Sequence, residues 1–308
     1  MRMRKIIGAV LALALVLSFV GFTAEAATFI DTDAKGSLSL TYSYDGQPFE
    51  SLPIRIYRVA EVSAYADFTL TGDFQDLPVE VNNVKTQQEW REVASTLSAY
   101  VTAQEIAPYG ELLTDAEGKV SFTDLPLGLY LVYMVRADTE EGYCHFDGFM
   151  ISVPTLDAED NWVYDVLARP KSVQQVIVPK EISYTVSKLW RDEGHAQLRP
   201  QSISIDLYRD GEFVETVVLS EENNWTYTWT TIDDGAIWQA VETNVPEGYT
   251  VTLEQNGNYF FVTNSYEGSD DPPDTGDIRN PRLYFVFMCV AGLGLVVLGL
   301  TGKKKGKA

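Results

Sequence analysis

Cysteine and histidine are scarce in this chain of 308 residues, with two of each. That excludes a disulfide framework and leaves too few side chains for a Cys/His metal centre. Basic residues are also few: 23 Lys and Arg stand against 44 Asp and Glu, a net charge of −21. Nine of the 23 lie at the extreme ends, so between residues 27 and 275 only 14 remain, against 42 acidic side chains. Such a field repels a phosphate backbone, which excludes nucleic acid as a partner. There is no glycine-rich phosphate loop and no nucleophile elbow, and His145 and His195 have no metal-spaced companion. No cofactor is expected. Low-complexity tracts are missing too. A chain that is 45% hydrophobic and 22% charged has the balance of a globular protein, and its length suits about two domains.

Long apolar runs are absent from the body and present at both ends. Residues 1–26 read as a signal peptide: Arg2, Arg4 and Lys5, an apolar stretch over 6–22, then Ala24-Glu25-Ala26 as a small-x-small cleavage site. Residues 283–300 are eighteen positions without a charge. As a helix they span about 27 Å, close to the thickness of a bilayer's hydrocarbon core. The basic tail 301–308, with Lys303, Lys304 and Lys305, orients that transmembrane helix with everything before it outside the cell. Cys289 lies in the span, so Cys144 is the only cysteine of the exported part and no intrachain bridge can form there. Stability must come from elsewhere.

The stalk 267–282 contains Pro272-Pro273-Asp274-Thr275-Gly276. Followed by an apolar helix and lysines, it resembles the Leu-Pro-x-Thr-Gly sorting signal of Gram-positive surface proteins, with Pro272 in place of the usual Leu. The resemblance implies that a sortase cleaves between Thr275 and Gly276 and passes the chain to peptidoglycan or to another pilin subunit. The protein is then membrane-inserted before sorting and wall-anchored after it.

Between the ends, β-branched and aromatic runs alternate with polar residues and are broken by turns, which predicts all-β sandwiches. In the second half about seven strands are expected, with Asp210-Gly211 and Asn256-Gly257 as turns. Trp225, Tyr227 and Trp229 alternate with threonines, so one aromatic face points inward. The first half adds one helix. Thr86-Gln87-Gln88-Glu89 is a capping box, and Trp90, Val93, Ala94, Leu97 and Val101 follow at helical spacing. The expected organisation is an N-terminal pilin-like sandwich over 27–171 with a helical insertion, a linker over 172–181 and a second sandwich over 182–266, both immunoglobulin-like or prealbumin-like.

The second sandwich resembles the Cna B-type domain of Gram-positive surface proteins. The resemblance rests on Val186-Ser187-Lys188-Leu189-Trp190, Arg199-Pro200, Asn223-Asn224-Trp225-Thr226-Tyr227, Val245-Pro246-Glu247-Gly248-Tyr249 and Val262-Thr263-Asn264. It implies a spontaneous isopeptide bond between Lys188 and Asn264, assisted by Glu242. The residue types suit that chemistry. Burial lowers an amine's pKa so that its neutral, nucleophilic form becomes accessible. Burial raises a carboxyl's pKa, so it stays protonated and can shuttle protons to departing ammonia. Folding holds the reactants together and supplies the entropic advantage.

The first sandwich lacks such a trio. Gly36-Ser37-Leu38-Ser39-Leu40-Thr41-Tyr42 and Gly128-Leu129-Tyr130-Leu131-Val132 resemble pilin strands, but Tyr42, Tyr133 and Ser172 stand where lysine, acid and asparagine are usual. No internal cross-link is expected there. Its closing strand, running from Trp162 through Val166 and Pro170 to Lys171, resembles the pilin motif whose lysine accepts the next subunit's sorting signal, although Ala168, Arg169 and Ser172 depart from it. Lys171 is therefore the candidate polymerisation site. Taken together, the chain reads as a wall-anchored, pilin-like structural protein that modifies itself and turns over no substrate. The alternative is an adhesin whose first module binds host protein or glycan.

Overall fold

The computed structural model describes residues 29–139, 142–176 and 180–266. The expected signal peptide, stalk with Thr275 and Gly276, apolar span and basic tail lie outside these residues. Among the described residues no helix is long and apolar enough to cross a membrane.

The chain is mostly β and forms two immunoglobulin-like sandwiches. In the first, β1 (Lys35–Thr41), β2 (Pro53–Val62) and the short β3 (Phe68–Leu70) precede a single α-helix, α1 (Gln87–Ala103). Then come β4 (Gly110–Leu113), β5 (Lys119–Pro126), β6 (Gly128–Val132), β7 (Val135–Thr139), β8 (Gly142–Phe146), β9 (Phe149–Val153), β10 (Asp165–Ala168) and β11 (Ser172–Val176). One sheet runs β10-β1-β5, with β1 and β10 parallel. The facing sheet runs β9-β6-β2-β3, and β4 pairs with β2. The alternation Leu38, Leu40, Tyr42 sends those side chains inward to Ile54, Ile56, Tyr130, Val132 and Phe146. Cys144 is buried in the same core, where burial pushes its thiol pKa up and leaves it inert.

In the second sandwich, β12 (Glu181–Arg191), β13 (Ser202–Arg209), β14 (Glu212–Ser220), β15 (Thr226–Ile232), β16 (Trp238–Glu242), β17 (Tyr249–Asn256) and β18 (Tyr259–Tyr266) are the seven strands the pattern predicts. One sheet runs β15-β12-β18-β17 and the other β14-β13-β16. As in the first module, the opening strand β12 pairs in parallel with the closing strand β18. Asp210 and Gly211 both have positive φ, as a type I′ hairpin demands. The β17–β18 hairpin turns one residue later than expected. Asn256 pairs with Tyr259, so Gly257 and Asn258 form the tip, with Gly257 at positive φ. The outward threonines of β15 form a hydroxyl ladder with Ser183, Thr185 and Ser187, while Tyr227 and Trp229 pack on the core.

Two details of organisation lie beyond the sequence pattern. The segment 172–181 carries strand as well as connection. β11 adds to β8 and β7 as a third small sheet, and β12 begins at Glu181. The helix is inserted between β3 and β4 with its capping box present, Thr86 accepting from the Glu89 N–H. It packs both on β9 and β6 of its own module and on β17, β16 and β13 of the second sandwich. Val93, Leu97 and Val101 belong to one cluster with Ala240, Val251, Leu253 and Val262. A local pattern announces that a helix has an apolar face, not which surface will cover it.

Candidate functional site

Period-two alternation on three strands points the three expected residues at one another. On β12, Val186 and Lys188 face inward while Leu189 and Arg191 are exposed; on β18, Phe260, Val262 and Asn264 are buried; on β16, Trp238, Ala240 and Glu242 are buried. Lys188 lies opposite Val262 in the parallel β12–β18 ladder, with Asn264 two residues further on. Glu242 reaches them from the facing sheet, where it pairs with Ile205.

Lys188 Nζ lies 3.2 Å from Glu242 Oε2, and both side chains are completely shielded from solvent. Asn264 is 0% exposed and its Nδ2 donates to Glu242 Oε1 at 2.9 Å. The Lys188–Glu242 contact is an ion-pair approach rather than an aligned hydrogen bond, and Asn264 Oδ1 has no protein partner. Lys188 Nζ also donates to the Val262 carbonyl at 3.4 Å and sits 4.5 Å above the Trp190 ring. Burial dominates both titrations. Desolvation pulls the Lys188 pKa down to about 8, although Glu242 opposes it. Desolvation pushes Glu242 up, although Lys188 and the Asn264 amide oppose it. Both shifts move the pair toward the uncharged state, the one in which an amine attacks and an acid donates.

A second buried polar group adjoins this centre and carries no signal of its own in the sequence. Asp192, the first residue after β12, accepts from Arg199 Nε at 2.7 Å and Nη2 at 2.5 Å, and from the Tyr249 hydroxyl at 2.9 Å. These donors hold its carboxyl below the usual range, Arg199 chiefly. Trp190 is wedged between Lys188 and this network, edge-on to Trp225 and Tyr249 at ring separations of 5.4 and 5.5 Å. Arg199 and Tyr249 thus acquire a role as the clamp that closes the tryptophan wall.

The first module offers the same strand junction with different contents. β1 and β10 pair in parallel, Leu40 opposite Ala168. Tyr42 is buried there, edge-on to Phe146 at 5.0 Å. Tyr133 does not face this core: its hydroxyl lies 2.6 Å from Thr102 Oγ1 on the helix. Val132, paired with Ile56 much as Glu242 is paired with Ile205, is the inward residue at the corresponding place. Ser172 opens β11 opposite Phe146. Lys171 is exposed between β10 and β11.

Fold and centre define a tandem β-sandwich protein whose second sandwich buries a Lys, a Glu and an Asn side by side, Lys188 and Asn264 each touching Glu242. Residues 184–265 match the family model described as Cna protein B-type domain. A collagen adhesin of Staphylococcus aureus is 29% identical over 205 aligned residues, which is 52% of this chain and 17% of that much longer protein. Among solved structures, a single B repeat unit of the collagen binding surface protein of Staphylococcus aureus covers 76% of this chain and 99% of its own at 20% identity, with a TM-score of 0.27. The full-length major pilin SpaD of Corynebacterium diphtheriae covers 78% and 99% at 13% identity, with a TM-score of 0.26.

Proposed function

We propose that this chain is a cell-surface, pilin-like structural protein whose second module closes itself with a Lys188–Asn264 isopeptide bond. The observation that carries the reading is the shielded triad of amine, carboxyl and carboxamide on three strands. A buried ion pair contributes little to stability once desolvation is counted, so stability alone is a poor reason to bury one. Chemistry is a better reason. Neutral Lys188 Nζ attacks Asn264 Cγ, a C–N bond forms, and Nδ2 leaves as ammonia. Glu242 first donates its proton to the amide and then relays the proton released by Nζ, so no other reactant is needed. Rotating the Asn264 amide by 180° turns Oδ1 toward a protonated Glu242, the orientation that polarises Cγ. The bond ties β12 to β18, so tension entering at one end of the module leaves at the other through covalent structure.

Anchoring by a sortase through Thr275 and Gly276, attachment to peptidoglycan, and polymerisation through Lys171 belong to the same reading, supported by the order of motifs along the chain. Intact-mass measurement of the secreted protein tests the central step: the parent should be one ammonia lighter than its sequence. Glu242→Gln should slow bond formation about 10²–10⁴-fold, and a parent of unreduced mass would remove the reading. A second reading, adhesion through the first module, is favoured by the name of the relative, a collagen adhesin. Saturable binding of the ectodomain to collagen, lost when the first module is deleted, would support it.

A further inference from the structure

Glu242 sits at the end of β16, an edge strand, and β17 is the edge of the opposite sheet. A sandwich is open along such a side, and an edge strand there presents unpaired backbone donors as well as a path for water. Here that side is filled by the first module. The Leu253 N–H donates to Thr96 Oγ1 at 2.7 Å and the Val251 N–H to the Pro78 carbonyl at 2.9 Å, so two outer donors of β17 are satisfied by residues more than 150 positions away in the chain. Val93, Leu97 and Val101 of α1 share one apolar cluster with Ala240 and Val262, the inward residues two positions before Glu242 and Asn264. Two cavities remain between the modules, one of about 460 Å³ beside the β17–β18 turn and one of about 540 Å³ next to Glu242. The larger reaches Glu242 and Val262 from one side and Thr96, Ala99 and Tyr100 from the other, while the Glu242 side chain stays shielded.

We propose that helix α1 of the first module is the outer wall of the Lys188–Glu242–Asn264 chamber, and that its docking completes the exclusion of water on which the cross-linking reaction depends. The inference rests on the isopeptide reading and adds a condition to it: the second module does not mature independently of the first. Thr96 and Ala99 are positioning residues in this scheme, acting through the dryness of the chamber rather than on the reacting atoms. Besides the pair itself, the charged or titratable groups nearby are Asp76, Asp206, Tyr208, Glu247 and Tyr100 around the larger cavity, and Asp192 with Arg199 and Tyr249 behind Trp190. None of them supplies the shielding that a packed helix does.

The test uses the whole ectodomain, refolded from denaturant before the bond has formed, with bond formation followed by intact mass. Ala99→Glu places a charge in the interface, and Thr96→Val removes the acceptor for the Leu253 N–H at nearly constant volume. Ala99→Glu should slow the loss of ammonia roughly tenfold or more, and Thr96→Val by a smaller factor. The pH profile separates hydration from simple destabilisation. The reactive pair holds one shared proton, so the rate has a plateau between the raised Glu242 value and the lowered Lys188 value near 8. Water entering the chamber returns both toward their ordinary values, so the plateau should become lower and wider. Equal rates for parent and both variants overturn the proposal and leave the isopeptide reading intact. A parent that never loses ammonia overturns both. If Ala99→Glu prevents the first module from folding, Thr96→Val decides alone: a parental rate and an unwidened plateau count against the proposal, and slowing with a wider plateau supports it.

Discussion

The two modules pair their opening strand in parallel with a closing strand, and they fill that junction with opposite chemistry. In the first, Leu38, Leu40 and Tyr42 share an apolar seam with Val132, Tyr130 and Phe146, in which dispersion and the hydrophobic effect hold the side chains together. In the second, the corresponding seam holds Lys188, Glu242 and Asn264, groups that cost free energy to bury and repay it only through their mutual contacts or through reaction. A module that resists unfolding by packing alone can be opened and re-formed. Under the proposed function, a Lys188–Asn264 bond would hold β12 to β18, and the second module could not be extended beyond that cross-link, whereas the first would rely on packing and backbone pairing.

The sharpest way to break this contrast is Lys188→Ala. It removes the nucleophile, so the mass should return to that of the unmodified sequence. The second module should lose about 4–5 kcal/mol, the chain-entropy value for a cross-link closing a loop of this size, read from urea unfolding. Tyr42→Ala attacks the opposite seam. It should cost about 3–5 kcal/mol as a large-to-small change in a packed core, confined to the first unfolding transition, while the mass of the second module's cross-linked peptide stays unchanged. Asp192→Asn tests the clamp behind Trp190. Because Arg199 and Tyr249 hold the Asp192 carboxyl below its unfolded value, its stabilisation is fully present above about pH 4 and is lost as pH falls through the folded value. The variant should be weaker by about 1–2 kcal/mol at pH 7, discounted for the partial exposure of Arg199. It should also lose less than the parent on acidification to pH 3. The smallest effect is expected from Thr86→Ala, which removes the helix cap at about 1 kcal/mol. Because α1 serves both modules, amide exchange should quicken in β17 as well as in the helix.

Much of the second module was legible before any coordinates. The Cna B-type resemblance pointed to Lys188, Glu242 and Asn264, and the structure buries all three. Two-residue turns at Asp210-Gly211 and next to Asn256 follow from backbone sterics. The helix start was equally plain, since a capping box is satisfied within four residues. The first module was less legible. Strands β3, β4, β7, β8 and β11 are short or polar, and β11 lies in a stretch that reads as a connector. Tyr133 was aligned with the place of the acid, whereas the inward residue there is Val132; one residue of register flips a strand's face. Asp192 was missed because an acidic residue in a turn usually faces water, and its burial depends on Arg199 and Tyr249 arriving from elsewhere.

Local pattern was enough for most strands of the second module, the helix cap and the turns, because each is settled by neighbours a few residues apart; Lys188, Glu242 and Asn264 were singled out by the family resemblance, and the fold brings them together. The identity of the surface that covers α1 was not available at that range. Thr96 meets Leu253 across 157 positions of chain, and apolar burial is non-directional, so a helical stripe accepts any complementary face. The folded arrangement selected the open side of the second sandwich, and in doing so it placed the wall of one module's core in the hands of the other.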